Sequence, residues 1–327
     1  MLKSEAKEKA RLALQVAKYA PAKLALIHTG VALGVNLVIL VINYLLNQNM
    51  GGGLAGMDSR AVLQTIQMAL STAYMILTPF WSIGLVYAML RLSRQEKTQP
   101  EALLEGFRRF GPTLRLLLLE GVLYFAVAMA CLHVATMIFT FSSLSDSMYA
   151  QLEPIIASGQ TALDTEAIMT LLPSMIPAYV IFGVLFCVVA IPLFYRFRMA
   201  QYVLMDKEGA GALASMVLSA RMMKGKRLQL FRMDVSYWWY YALQLVIAGV
   251  AYLDVLLPAL GIGLQLDSNV LLIGSFAVSL ALQLLVAYWW LAPVQTAYAC
   301  AYDMLKEQMP PLPTAPQPPQ NPWKNEQ

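Results

Sequence analysis

The chain has 327 residues, of which 59% are apolar and 13% are charged, and its formal net charge is +4. A water-soluble domain has about 25% charged residues, so this composition excludes one, and the many bulky apolar residues exclude a disordered chain. The net charge is too small to indicate a nucleic-acid partner, and none is expected.

The first predicted element is an amphipathic helix within residues 1–20, which is rich in Ala, Lys and Glu and ends before Pro21. Leu12, Val16 and Tyr19 recur at helical spacing on one face. Basic amphipathic helices lie in the anionic headgroup layer on the cytoplasmic side of a membrane. We therefore expect this helix to form a separate cytoplasmic element ahead of the membrane domain.

Six apolar stretches follow within residues 21–308, and each is long enough to cross a bilayer, which needs about 20 helical residues. The predicted spans are Leu24–Leu46, Val62–Leu90, Leu116–Phe141, Leu172–Tyr195, Tyr237–Leu257 and Val270–Ala292. The sequence thus predicts an all-α fold with six transmembrane helices arranged as three hairpins and short amphipathic helices on the cytoplasmic surface. The Pro-rich segment 309–327 is predicted to be a disordered cytoplasmic tail.

The basic residues predict how these spans are oriented. Of the 23 Lys and Arg residues, all except Arg60 precede the first span or follow an even-numbered one. Lys and Arg near span ends are retained in the cytoplasm. Both termini of this multi-pass protein are therefore expected to be cytoplasmic.

Two segments share the pattern G-x-x-L-x-L-x-x-x-[DE], from Gly111 to Glu120 and from Gly225 to Asp234. Each follows a short amphipathic segment and leads into the next span, which suggests an internal repeat. Glycine adopts positive φ without steric cost, so structural turns are predicted at Gly111 and Gly225. Parallel repeats occur in transporters, but duplication also builds helical bundles that transport nothing.

Glu120 and Asp234 are the first candidates for a polar site within the membrane, where an unpaired charge is costly. In the functional hypothesis the two acids face a cavity open to the cytoplasm and bind a cation or a proton, with Arg115 and His133 as further polar members. In the simpler alternative, which we prefer, nearby arginines pair with the acids and orient the helices.

Basic residues also cluster around the second predicted surface helix. They are Arg221, Lys224, Lys226, Arg227 and Arg232. A basic residue near the membrane surface attracts anionic lipid by about 1 kcal/mol, so this cluster is a candidate contact for anionic headgroups. The retention of Lys and Arg in the cytoplasm also accounts for these charges.

Catalytic, cofactor and metal motifs are missing from the sequence: it has no H-E-x-x-H, G-x-S-x-G or phosphate-binding glycine loop. We therefore expect no catalytic residues, cofactor or metal. The leading hypothesis is a non-enzymatic protein that organises the membrane or binds lipid or a partner, and a homo-oligomer stays open. The alternative is a transporter of a small solute or lipid that uses a cavity lined by Glu120 and Asp234.

A longer motif lies within Tyr195–Tyr241, where a Ser precedes Met-Lys-Gly and the pattern Phe-x-x-Asp-x-Ser follows. The matching residues are Ser219, Met223, Lys224, Gly225, Phe231, Asp234 and Ser236, with Trp238 and Trp239 close behind. A second motif, Pro-Tyr-x-x-Thr-x-Ala-x-x-Tyr, is matched near the end of the membrane domain by Pro293, Thr296, Ala299 and Tyr302. Val294 stands at its first Tyr position, and no Gly follows Pro192.

These residues resemble a family of bacterial integral membrane proteins known as domain of unknown function nine hundred and seventy-five. The resemblance covers most of residues 1–305. It implies a six-helix protein of the bacterial cell membrane and brings no established activity with it.

Overall fold

The computed structural model describes residues 2–17, 21–48, 54–157, 165–253, 257 and 268–309. Every regular element among these residues is helical. The predicted tail beyond residue 309, Tyr19 of the N-terminal helix and part of the end of the predicted fifth span lie outside the described residues.

The helices are introduced here in chain order. They are α1 (Leu2–Val16), α2 (Pro21–Gln48), α3 (Leu54–Ser93), α4 (Glu105–Arg108), α5 (Phe110–Thr140), α6 (Asp146–Ala157), α7 (Thr165–Phe197), α8 (Ala200–Asp206), α9 (Ala212–Met222), α10 (Arg227–Val235), α11 (Trp238–Ala251), α12 (Ser268–Val286) and α13 (Ala292–Glu307). Two 3₁₀ segments, Pro100–Leu104 and Ser143–Ser145, precede α4 and α6. A π-helical turn, Ala287–Leu291, joins α12 to α13.

Five helical segments of the described chain are long and apolar enough to cross a membrane. They are Pro21–Ile42, Ala61–Ser93, Phe110–Thr140, Pro173–Asp206 and Val270–Glu307. The predicted fifth span corresponds to α11, whose 14 residues are fewer than the roughly 20 that a crossing needs. The described chain is thus helical and typical of a membrane protein, while the count of six spans stays a prediction.

The long helices pack in neighbouring pairs. Helix α2 packs against α3, α5 against α7, and α11 against α12. Helix α3 also packs against α13 and α8, so it lies at the centre of the contacts that join the N-terminal and C-terminal helices.

Helix α1 packs along α13 rather than extending away from the bundle. Its Ala6, Ala10 and Ala13 are buried, because small side chains let two helices approach closely. Leu12 and Val16, the face expected to meet lipid, are 53% and 58% exposed. One face of α1 is therefore packed against protein, and the face with Leu12 and Val16 is exposed.

The backbone of the 3₁₀ segment Pro100–Leu104 and of α4 lies in close contact with α3 at two glycines, Gly84 and Gly106. A β-carbon built at Gly84 would lie 1.8 Å from the carbonyl oxygen of Leu103. A β-carbon at Gly106 would lie 2.1 Å from the carbonyl oxygen of Phe80. Only glycine fits at either position, so the surface connection after α3 is fixed against that helix.

An ionic network joins the ends of α3, α8 and α13. Arg94 Nη1 lies 2.6 Å from Asp206 Oδ1, and Arg94 Nη2 lies 2.6 Å from Asp303 Oδ1. Lys306 Nζ lies 2.6 Å from Asp206 Oδ2, to which the Tyr302 hydroxyl also donates at 2.8 Å. Burial alone lowers the pKa of Arg94, but its hydrogen bonds to Asp303 and Asp206 outweigh this effect and raise that pKa.

Candidate functional site

An open groove of about 880 Å³ lies between α5, α9 and the end of α7. Its apolar walls are formed by Leu119, Val122, Leu123 and Ala126 of α5 and by Leu213, Met216, Val217 and Ala220 of α9. Several of these side chains are well exposed: Val122 is 65% and Leu213 is 67% exposed. The groove therefore presents an exposed apolar surface.

Four cationic side chains lie at the same groove. They are Arg196, Arg221, Lys224 and Arg227. Within the described part of the chain, no Asp or Glu oxygen lies within 4.0 Å of their charged nitrogens. The Nε atom of Arg227 is buried and has no hydrogen-bond partner in the structure. The groove thus combines an apolar wall with unneutralised positive charge.

Short-range contacts hold α9 across the end of α7 and so assemble this groove. The Ser219 hydroxyl donates to the Arg196 carbonyl at 3.1 Å, and Met223 is fully buried. Gly225 has a φ of +73°, which allows the sharp turn from α9 into α10. These residues belong to the motif within Tyr195–Tyr241, so that motif has a structural role in positioning the cations.

The turn predicted at Gly111 is wrong. Gly111 lies in the first turn of α5, and it is not among the described glycines with positive φ. The chain changes direction two residues earlier, at Arg109, whose φ and ψ are −96° and 44°. Pro112 near the start of α5 is well tolerated because the first helical N–H groups have no intrahelical acceptor.

The structure divides the predicted basic cluster. Arg221, Lys224 and Arg227 line the groove, whereas Lys226 and Arg232 do not. Arg196 also lines the groove, although it is not a member of the predicted basic cluster. Its position directly after the fourth apolar span was the available signal, but the contact between α7 and α9 is not local in sequence.

Asp234 is held by three side chains from neighbouring helices. The hydroxyls of Tyr195 and Tyr298 donate to its two carboxylate oxygens, and Arg198 Nη2 lies 3.4 Å from Oδ1. The Tyr241 hydroxyl continues this network to Tyr298 at 2.8 Å. Asp234 therefore joins α10 to α7 and α13. Its contact with Arg198 is of the kind in which an arginine pairs with the acid and orients the helices.

Glu120 has a different environment from Asp234. It lies in the wall of an inner cavity of about 310 Å³, among residues from α2, α3, α5, α7, α8 and α13. His28, Arg198 and Gln201 are polar members of the same wall. The two acids with corresponding positions in the predicted repeat thus do not form a pair at one cavity.

Arg115 and His133 do not belong to this arrangement. Both are exposed on α5 and are not among the residues that line the inner cavity. The predicted polar site therefore loses two members, because α5 turns these side chains away from Glu120. The histidine that lines the inner cavity is His28, whose ring stacks on Trp81 with centroids 5.7 Å apart.

The sequence model of the family described as Protein of unknown function (DUF975) matches residues 1–308. The chain belongs to this family. No curated protein and no solved structure matches the sequence. In this DUF975 member, three residues of the motif make structural contacts: Ser219 and Gly225 place α9 and α10, and Asp234 joins α10 to its neighbours.

Proposed function

We propose that this protein is a non-enzymatic membrane protein that binds an anionic phospholipid in the groove between α5 and α9. The observation that carries the proposal is the combination of exposed apolar walls with four cations that have no acidic partner in the described chain. A phospholipid has the same two parts, since its acyl chains are apolar and its phosphate is negative.

The chemistry of the four groove cations suits a phosphate. Arginine offers several N–H donors in a planar fork that matches phosphate oxygens, and lysine adds a mobile point charge. The buried Nε of Arg227 would gain an acceptor only if the side chain turned to meet a headgroup oxygen. The apolar side chains of α5 and α9 in the same groove would contact the acyl chains.

We further propose six spans, both termini in the cytoplasm and a groove in the cytoplasmic leaflet of a bacterial cell membrane; the positive-inside pattern supports this orientation. The anionic lipids of that leaflet attract basic surface segments. Lipid at this position would fix α9 and α10 at headgroup level, which supports a role in organising the membrane or a partner there.

Neutralising two groove cations tests the proposal. The variant Arg221→Gln/Lys224→Gln should bind phosphatidylglycerol about thirtyfold more weakly and so retain less of it, because each basic residue contributes about 1 kcal/mol. The measurement is the ratio of phosphatidylglycerol to phosphatidylcholine bound to the full chain after purification from vesicles that contain both lipids.

Lys226→Gln/Arg232→Gln is the matched control, because it removes the same charge from the same helical region but outside the groove. This variant should keep most of the bound lipid. Equal losses in both variants would mean that the lipid responds only to total surface charge, and an unchanged ratio in the first would exclude the groove.

Transport by paired acids receives less support from the geometry. Glu120 lines the inner cavity, but the carboxylate oxygens of Asp234 are taken by Tyr195, Tyr298 and Arg198. A carboxylate held in this way orients helices and is not free to bind a passing solute. We therefore place lipid binding ahead of the transport alternative.

A further inference from the structure

The inner cavity has the size of a small-molecule site. Its volume of about 310 Å³ equals that of about ten water molecules at roughly 30 Å³ each. Residues from six helices line it, and the π-helical turn before α13 contributes Leu291 to the wall. Local π-helical turns often occur at functional sites, because they shift one side chain out of the regular helical register.

The charges in the cavity wall do not cancel. Arg198 is balanced by Asp234, and its guanidinium also lies over the rings of Phe194 and Tyr298, at 4.9 and 4.7 Å from their centroids. Glu120, in contrast, has no ion-pair partner among the residues that the structure describes, and its polar neighbour is the neutral amide of Gln201. The wall therefore has one carboxylate that a bound cation would neutralise.

Aromatic side chains beside Glu120 narrow the choice of cation. Tyr124 follows Glu120 by four residues on α5, so both side chains lie on one face of that helix. Phe197 and Tyr202 add further rings to the wall. Aromatic faces attract ammonium groups and pack against alkyl chains.

A metal ion is a poorer fit. Divalent cations need several carboxylate, carbonyl or imidazole ligands at once. Among the described residues, no group of three or more His, Cys, Asp or Glu side chains is arranged to hold one.

We infer that the inner cavity binds one small organic monocation, an alkylammonium of about ten or fewer non-hydrogen atoms. Its ammonium group contacts the Glu120 carboxylate, and its alkyl part lies against Tyr124 and Phe197. Phe197 lines both the lipid groove and this cavity, but none of the four groove cations lines the cavity, so the charged groups of the two proposed sites are different.

Calorimetric titration of the detergent-solubilised full chain with n-butylammonium, tetramethylammonium and butyrate tests this site. We expect at least one ammonium probe to bind and butyrate not to bind. Glu120→Gln should weaken ammonium binding by about tenfold or more, and Tyr124→Leu by about threefold. Asp146→Asn, which neutralises an exposed acid of α6, should leave the affinity unchanged.

The melting temperature of each variant shows whether it is folded. Glu120→Gln should fold, because Gln is close in size to Glu. The proposal is overturned if no ammonium probe binds the folded wild-type chain, or if folded Glu120→Gln binds it as well as the wild type does. Binding of butyrate in place of the cations also overturns it, because Arg198 would then be the recognising group.

Discussion

Gly84→Ala is expected to destabilise the protein by about 3 kcal/mol or more, because overpacking against rigid backbone is costly. The added β-carbon would lie 1.8 Å from the Leu103 carbonyl oxygen, and backbone cannot move aside as a flexible side chain does. The measurement is the Tm of the purified full chain in detergent, which should fall by about 5 °C or more.

Gly121→Ala is the control for this substitution. It lies in the long helix α5, and no atom beyond the neighbouring backbone of that helix lies within 4 Å of the position that its β-carbon would take. Its Tm should equal or slightly exceed that of the wild type, since Ala favours helix more than Gly does. If Gly84→Ala and Gly121→Ala have the same Tm, the close contact between α3 and the 3₁₀ segment is absent in the folded protein.

Asp206→Asn is expected to cost about 2–3 kcal/mol, because it leaves Arg94 and Lys306 without their shared carboxylate. The Asp206 side chain is 4% exposed, whereas Arg94 and Lys306 are 31% and 42% exposed, so solvent screening reduces the loss below that of a fully buried pair. Denaturant or thermal unfolding of the detergent-solubilised chain measures this loss.

A surface pair provides the comparison. Arg91 and Glu96 are 2.8 Å apart with side chains 39% and 44% exposed. Glu96→Gln should therefore change stability by less than about 1 kcal/mol. A loss in Glu96→Gln as large as in Asp206→Asn would show that the network at Asp206 contributes no more than an ordinary surface ion pair.

Composition and hydropathy were sufficient to predict the helical membrane class, because each long apolar stretch must become a helix that satisfies its own backbone hydrogen bonds. The positions of α2, α3, α5, α7 and α12 follow from this local rule. The rule is weaker at α11, where Ser236 and Tyr237 separate a short apolar helix from α10.

The predicted repeat shows why local pattern is a limited guide to the site. Gly111 and Gly225 have the same pattern around them, yet Gly111 lies inside α5 and only Gly225 makes a turn with positive φ. Glu120 and Asp234 consequently lie in different surroundings. A pattern can assign both acids to the same depth, but it cannot determine which neighbouring side chains reach each one.

The contacts that the sequence did not predict join residues far apart along the chain. Gly84 meets Leu103, Arg94 meets Asp206 and Asp303, and Arg196 meets the helix that contains Arg221. Each depends on how two helices cross, and the apolar faces of a membrane helix do not specify the crossing. The sequence could therefore predict the basic cluster but not which of its members share the groove.

The position of bound lipid is the most direct test of anionic phospholipid binding between α5 and α9. Phosphatidylglycerol with a photoactivatable acyl chain should crosslink mainly to residues 119–126 and 213–220 when irradiated with the full chain in vesicles. The phosphatidylcholine analogue should not favour these segments. Even labelling over all the long apolar helices, or the same pattern with both lipids, would contradict a specific anionic-lipid groove.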